Sequence, residues 1–294
     1  MADVEITLKA FAKLNLYLEV LGRREDGYHD IRSLMVTVDL ADTVRIRDAR
    51  FGLSVLTDAA GVPSGPENLC WKAAESLRQY AGVRRGAEVS LVKRIPVAAG
   101  LGGGSSDAAS TLVGLNKLWG LELAERELAG VAAGIGSDVP FFLRGGLQLA
   151  EGRGERLTPL RGLPDAWFVI AAPDLAVSSA WAYASAKMGL TSATHVTRMT
   201  LLSTSLDAGG VAGILRNDLE RGVEESHAVV GRLKADLRAQ GAAGCLMSGS
   251  GPAVFGVARD ESSATAIASA VRSAGVSVFA VCPAPSGWME TERA

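Results

Sequence analysis

The chain has 294 residues, 48% of them hydrophobic, with 30 Lys plus Arg against 32 Asp plus Glu and a net charge of −2. That balance supplies no basic face for nucleic acid and no charged tail, and the length suits one large domain or two smaller ones with a real core. Cys70, Cys245 and Cys282 lie far apart without metal-type spacing, which fits reduced thiols. The opening MADVEITLKA lacks the basic-then-apolar character of a signal peptide. No apolar run reaches the roughly 20 residues of a membrane helix, so a cytoplasmic protein without membrane contact is expected.

Along the chain, VEITLKAFAKLNLYLEVLG (4–22) alternates enough to predict paired strands, and EDGYHD (25–30) interrupts with turn formers. SLMVTVDL and TVRIRD read as further strands. GVPSGPEN (61–68) is a loop whose Asn68 caps the helix LCWKAAESLRQYAG, with Leu69, Ala73, Leu77 and Tyr80 on one face. AEVSLVKRI (87–95) is a strand, and SSDAASTLVGLNKLWG a helix with Ala108, Leu112 and Leu115 at helical spacing. ERELAGVAAGIG is another helix, and PFFLRGGLQLAE reads as a hairpin. RLTPLRGLPDA (156–166) carries two prolines and a glycine, and the domain boundary is placed there, giving parts 1–160 and 161–294. The second part opens with the strand WFVIAAP, followed by helices near 180–188, 199–206 and 223–240. GCLMSGSGPAVFGVA reads strand, glycine turn, strand; ESSATAIASAVRSAG is a helix and VSVFAVCPA a strand. Helices mixed with strands and hairpins make an α+β chain.

Between the strand at 87–95 and its following helix runs IPVAAGLGGGSSDAAS (95–110). A helix N-terminus presents free N–H groups and the positive end of its dipole, and glycines let backbone approach a ligand closely. Together they make a phosphate cradle, with Ser105 and Ser106 as hydroxyl donors. A P-loop would need Lys and then Ser or Thr after the last glycine, where Ser105, Ser106 and Asp107 stand. A Rossmann fingerprint would need a third glycine where Ser105 stands.

Further signals are each open to two readings. Lys13 and Asn15 share one strand face, either solvated or part of a site. Asp138 in GSDVPFF is an Asx-turn or helix cap, or a reactive carboxylate. MSGSGPAVFG (247–256) is a tight β connection, or a second turn closing over a phosphate from the other side. Tyr28 and His29 are surface loop residues, or a pair that stacks on and hydrogen-bonds a flat ring. His195 and His227 sit in polar surroundings and receive no role.

Taken together, AKLNLYLEVLGRREDGYHDIRSL (12–34), PVAAGLGGGSSDAA (96–109), IGSDVPFFLRGG (135–146), EGRGE (151–155), NDLE (217–220) and MSGSGPAVFG resemble the GHMP kinases, in family order over nearly the whole chain. The Gly27-Tyr28-His29 element narrows the resemblance to the branch that acts on a cytidine-bearing alcohol. It implies the two-domain α+β GHMP kinase fold with its active site in the interdomain cleft. The implied activity is ATP-dependent phosphorylation of the 2-hydroxyl of 4-diphosphocytidyl-2-C-methyl-D-erythritol, on the non-mevalonate route to isoprenoid precursors. By the same resemblance Lys13 and Asp138 are catalytic. Asn68, Leu69, Lys93, Pro96, Val97, Ala98, Ala99, Gly100, Leu101, Gly102, Gly103, Gly104, Ser105 and Ser106 bind ATP. Asn15, Tyr28, His29, Ser179 and Tyr183 bind substrate, with Trp181 competing with Tyr183 for the base. Mg²⁺ arrives with ATP and no protein ligand to it is assigned; the partners are ATP and the small substrate, and the oligomeric state stays open. Asp107, where many members carry Asn, adds negative charge near the phosphates, and Pro252 removes a possible N–H donor from the second turn. The competing readings are a GHMP kinase for another small alcohol, and a nucleotide-binding module without catalysis.

Overall fold

The computed structural model describes residues 5–186 and 206–293. Its frame is two very long strands, β1 (Glu5–Arg23) and β2 (His29–Ala49), antiparallel across a turn at 24–28. The stretches 33–40 and 43–48, read as separate strands, are thus one element. Bulges at Phe11/Ala12, Asn15/Tyr17 and Val20/Gly22 bend the pair and let it continue through both halves of the molecule. β3 (Leu53–Thr57) was not foreseen; it pairs in parallel with β4 (Gly86–Val92), which lies along the end of β2. α1 (Leu69–Ala81) is capped by Asn68, whose side chain accepts from Cys70 N. Its buried face is Cys70, Ala73, Ala74 and Leu77, while Tyr80 is exposed.

α2 (Gly103–Leu118) begins two residues before the predicted start, taking the last two glycines of the loop into its first turn. α3 (Glu125–Ala133) follows. The predicted hairpin over 140–151 is instead α4 (Val139–Arg144), with Pro140 in its first turn, followed by β5 (Leu147–Gly152). An apolar run such as PFFL fits either element, and proline at a helix start is favourable where it would break a strand. The actual hairpin joins β5 to β6 (Arg156–Pro159) around Gly154.

β7 (Trp167–Pro173) forms the middle of a second sheet, ordered β11-β7-β10-β9 with β9 (Cys245–Met247), β10 (Val254–Ala258) and β11 (Val276–Val281). Along β7, Phe168, Ile170 and Ala172 enter a core shared with the first sheet, and Val169 and Ala171 enter the core under the helices. Burial of both faces explains its unbroken apolar sequence. α5 (Ser179–Ser185) and α6 (Ala208–Ile214) flank the segment that includes most of the predicted 199–206 helix, which lies outside the described residues. The helix foreseen over 223–240 is two, α7 (Glu220–Ser226) and α8 (Ala228–Ala239), broken at His227, whose extended backbone cannot continue a helix. β8 (Arg216–Asn217) and β12 (Trp288–Arg293) both join β1, so the chain returns to the first sheet at its end. α9 (Glu261–Ala270) covers the second sheet and starts with a capping box on Asp260.

Candidate active site

A cavity of about 1270 Å³ opens between the glycine loop, β1, the start of α1, α5 and the turn at Gly249–Ser250. Lys13 and Asn15 enter it from the stretch of β1 that lies between two bulges. Each is only 4% exposed, so theirs is not a solvated face. The Lys13 ammonium donates to Asn15 Oδ1, Asn15 Nδ2 donates to Ser33 Oγ (2.8 Å), and Ser33 Oγ donates to the Tyr17 carbonyl (2.7 Å). This relay leaves the lysine little freedom.

Asp138 occupies the N-cap position of α4, yet its carboxylate caps nothing. It lies 3.8 Å from the Lys13 ammonium and remains 39% exposed on the cavity wall. The geometry therefore goes against the capping reading of GSD. Burial pulls the Lys13 ammonium below the ordinary lysine value, and Asp138 opposes that pull.

At the glycine loop, Gly102 stands in the left-handed region (φ 74°) ahead of α2, and no side chain caps that helix. Gly103, Gly104 and Ser105 of the first turn face the cavity. So an uncapped helix start, positive by its N–H groups and dipole, is aimed at the void. Ala98 is held at φ 53°, uncommon for a residue with a Cβ, which marks the loop as locally constrained. The second glycine turn rests directly on the first. Ser248 Oγ donates to Gly100 O (3.1 Å) and Ala253 N to Ala99 O (3.3 Å). Asn217 secures that turn, donating to Met247 O (2.8 Å) and Gly249 O (2.7 Å). This is the role of the asparagine in NDLE (217–220).

Of the predicted site residues, Lys13, Asn15, Tyr28, His29, Asn68, Leu69, Lys93, Pro96, Val97, Ala98, Ala99, Gly100, Gly102, Gly103, Gly104, Ser105, Asp138, Ser179 and Tyr183 all line this cavity. Leu101 and Ser106 do not: both are buried behind the wall, Ser106 with its Oγ lacking any partner. Lys93 has a different arrangement from the one expected. Its ammonium sits between Asp42 and Asp107 (2.5 Å to the latter), and Asp42 also accepts from Arg94 N (2.5 Å) and Ile95 N (2.8 Å). Burial pushes the Asp107 carboxyl up to about 7 against the attraction of Lys93, with Asp42 adding repulsion. The Asp107 carboxyl is thus paired with Lys93. Asp42 was missed because nothing local marks it; it meets Lys93 across 51 residues of chain.

Elsewhere on the wall, His29 stacks on Tyr183 (5.2 Å between centroids, 18°), and Arg153 lies over the Tyr28 ring at 5.0 Å. Tyr28 and Tyr183 therefore each hold another partner rather than each other. Trp181 is not on the cavity wall and sits against His227, so Tyr183 is the aromatic that α5 contributes. Ser179 Oγ meets Ser250 Oγ at 3.1 Å, joining α5 to the second glycine turn.

Strand, glycine loop and uncapped helix beside a lysine–aspartate pair, in a two-sheet α+β fold, define a small-molecule kinase of the GHMP class. The family description "GHMP kinases N terminal domain" matches residues 68–146, and "GHMP kinases C terminal" matches residues 201–277. The 4-diphosphocytidyl-2-C-methyl-D-erythritol kinase of Geobacter metallireducens is 45% identical over 269 residues, covering 90% of this chain and 94% of that one. The protein of the same name from Gloeobacter violaceus is 46% identical over 268 residues, covering 89% and 88%. A crystal structure of a 4-(cytidine 5′-diphospho)-2C-methyl-D-erythritol kinase superposes with a TM-score of 0.78 at 34% identity, over 94% of this chain and 98% of that one. A homoserine kinase from Cytophaga hutchinsonii superposes at 0.81 with 19% identity, over 99% and 98%, a likeness of fold alone. The chain belongs to the 4-diphosphocytidyl-2-C-methyl-D-erythritol kinase family of GHMP kinases. Among the described residues, no helix is long and apolar enough to cross a membrane.

Proposed function

We propose that this chain transfers the γ-phosphoryl group of ATP to the 2-hydroxyl of 4-diphosphocytidyl-2-C-methyl-D-erythritol, a step toward isoprenoid precursors by the non-mevalonate route. The observation that carries the chemistry is the Lys13–Asp138 pair facing the glycine-loop cavity. The ATP phosphates rest on the N–H groups of the loop and the first turn of α2, and Asn68, Leu69, Lys93 and Pro96 surround the nucleoside and the start of the loop. Asp138 accepts the hydroxyl proton as the substrate oxygen bonds to the γ-phosphorus and the bond to the departing ADP breaks. Lys13, held by Asn15, stabilises charge on the transferring group.

Mg²⁺ carried by the ATP phosphates would neutralise charge developing on the leaving diphosphate. Among the described residues no group of three His, Cys, Asp or Glu side chains could hold a metal ion. Ser105 on the wall and the unpartnered Ser106 hydroxyl behind it are the protein groups that would approach it.

The cytosine binds at Tyr28, His29 and Tyr183, exchanging the His29–Tyr183 stack for contacts with the base. Lys93 works through the Asp42–Asp107 cluster, which fixes the loop start at Arg94 and Ile95. The division at about residue 160 places the glycine loop in the first part and Tyr183 with the second turn in the other. The deciding experiment measures ADP release from ATP and Mg²⁺ with the cytidine compound, homoserine or mevalonate offered separately. Release with the cytidine compound alone supports the reading; release with another alcohol overturns the substrate assignment. ATP binding without release in all three would overturn catalysis.

A further inference from the structure

The cations lining the cavity are Lys13, Arg23, Lys93 and Arg153. Two of them are already offset: Lys13 faces Asp138, and Lys93 is enclosed by Asp42 and Asp107. Among the described residues no ion pair involves Arg23 or Arg153. The nearby carboxylates have nearer partners, although the Arg153 charge also acts on Asp26. Asp26 pairs with Arg24 (3.2 Å), and Glu155 accepts from the backbone N–H of Arg153 (2.6 Å), not from its guanidinium. Both arginines stand at the Tyr28–His29 end: Arg23 pairs with His29 in the β1–β2 register, and the Arg153 guanidinium carbon lies over the Tyr28 ring, 5.0 Å from its centroid.

The substrate reading places two nucleotide-like molecules in this cavity, and their phosphates need separate compensation. ATP is served by the loop. The diphosphate of the cytidine compound carries two further negative charges and cannot share those N–H groups. We propose that Arg153 binds this diphosphate, with Arg23 adding to the local positive field, and that it thereby determines selectivity for a cytidine diphosphate ester over a neutral alcohol. The proposal rests on the substrate reading above. The side chain is suited to the task. Its planar fork can donate two parallel N–H groups to phosphate, while the cation stays over an aromatic ring that also awaits the base. A guanidinium held over a ring is already oriented, so little freedom is lost when it takes hold of the anion.

The test compares wild type with Arg153→Ala, Arg153→Gln and Arg153→Lys, using cytidine and CDP as competitive inhibitors alongside the full substrate. In Arg153→Ala and Arg153→Gln, KM for the substrate and Ki for CDP should rise by about 10-fold or more, the scale of one lost charge-assisted contact. Ki for cytidine and KM for ATP should stay within about 2-fold, and Arg153→Lys should recover part of the CDP affinity. Equal weakening of cytidine and CDP would mean that Arg153 only supports Tyr28, and would overturn the proposal. So would unchanged CDP affinity. If wild type neither phosphorylates the cytidine compound nor is inhibited by CDP, the substrate reading falls and takes this proposal with it. If wild type does both and Arg153→Ala matches it, only this proposal falls.

Discussion

Two glycines of one loop should respond in opposite ways to the same added methyl group. A Cβ at Gly100 would stand 2.1 Å from Ser248 O and 2.8 Å from Gly251 N, both backbone atoms, at a left-handed φ of 77°. The backbone conformation alone costs about 1–2 kcal/mol for a residue with a Cβ. The clash adds about 1–3 kcal/mol of overpacking, because the opposing turn is held by Asn217 and cannot withdraw freely. Gly100→Ala should therefore lose about 2–5 kcal/mol, roughly 4–20 °C in Tm at the usual shift per kcal/mol. Gly104 is helical, and its nearest neighbour to an added Cβ is Leu69 Cδ1 at 3.6 Å, an ordinary contact. Gly104→Ala should hold its Tm or gain from the roughly 0.5–1 kcal/mol by which alanine is better than glycine in a helix. The methyl would project at the cavity wall, so KM for ATP should rise by about 10-fold. Thermal unfolding without ligand and steady-state kinetics read the two effects separately. Gly100→Ala melting like wild type would refute the contact between the two glycine turns. Gly104→Ala with unchanged KM would refute the phosphate cradle.

Asp138→Asn should still bind both ligands, while turnover falls at least about 100-fold, the lower range for losing a general base; near-normal single-turnover rates would remove it from that role. Tyr28→Ala should raise KM for the cytidine substrate and leave KM for ATP alone, and an unchanged substrate KM would sink the stacking role. Asp107 bears on stability against pH. Its carboxyl lies at about 7 when folded, above the ordinary carboxylate range, so the stability it contributes is full below about pH 4 and is lost as pH rises through about 7. Denaturation midpoints should therefore shift in favour of Asp107→Asn over wild type as pH rises across that window, and a pH-independent difference between the two proteins would contradict the raised value.

Much of the site was legible because its signals are local. The period of a strand puts Lys13 and Asn15 on one face wherever the strand ends up. An asparagine before an amphipathic run caps a helix from its own neighbours, as Asn68 does. Glycines ahead of a helix start point to an anion site by covalent order alone, whereas the GHMP class came from the resemblance of several motifs taken together. Other features depended on partners distant in the chain. The segments 33–40 and 43–48 join into one strand because β1 lies alongside throughout, with bulges that no periodicity announces. PFFL became helical because α4 packs on α2 and α3, whereas the apolar run alone fits either element. Asp138 could be told from a capping residue only by what lies opposite it, and the pairing of Lys93 only from Asp42 and Asp107. Residue type and near-neighbour spacing set which chemistries the chain carries. Which charges are offset and which remain available was decided by the tertiary structure, because electrostatic pairing follows distance in space and burial rather than order along the chain.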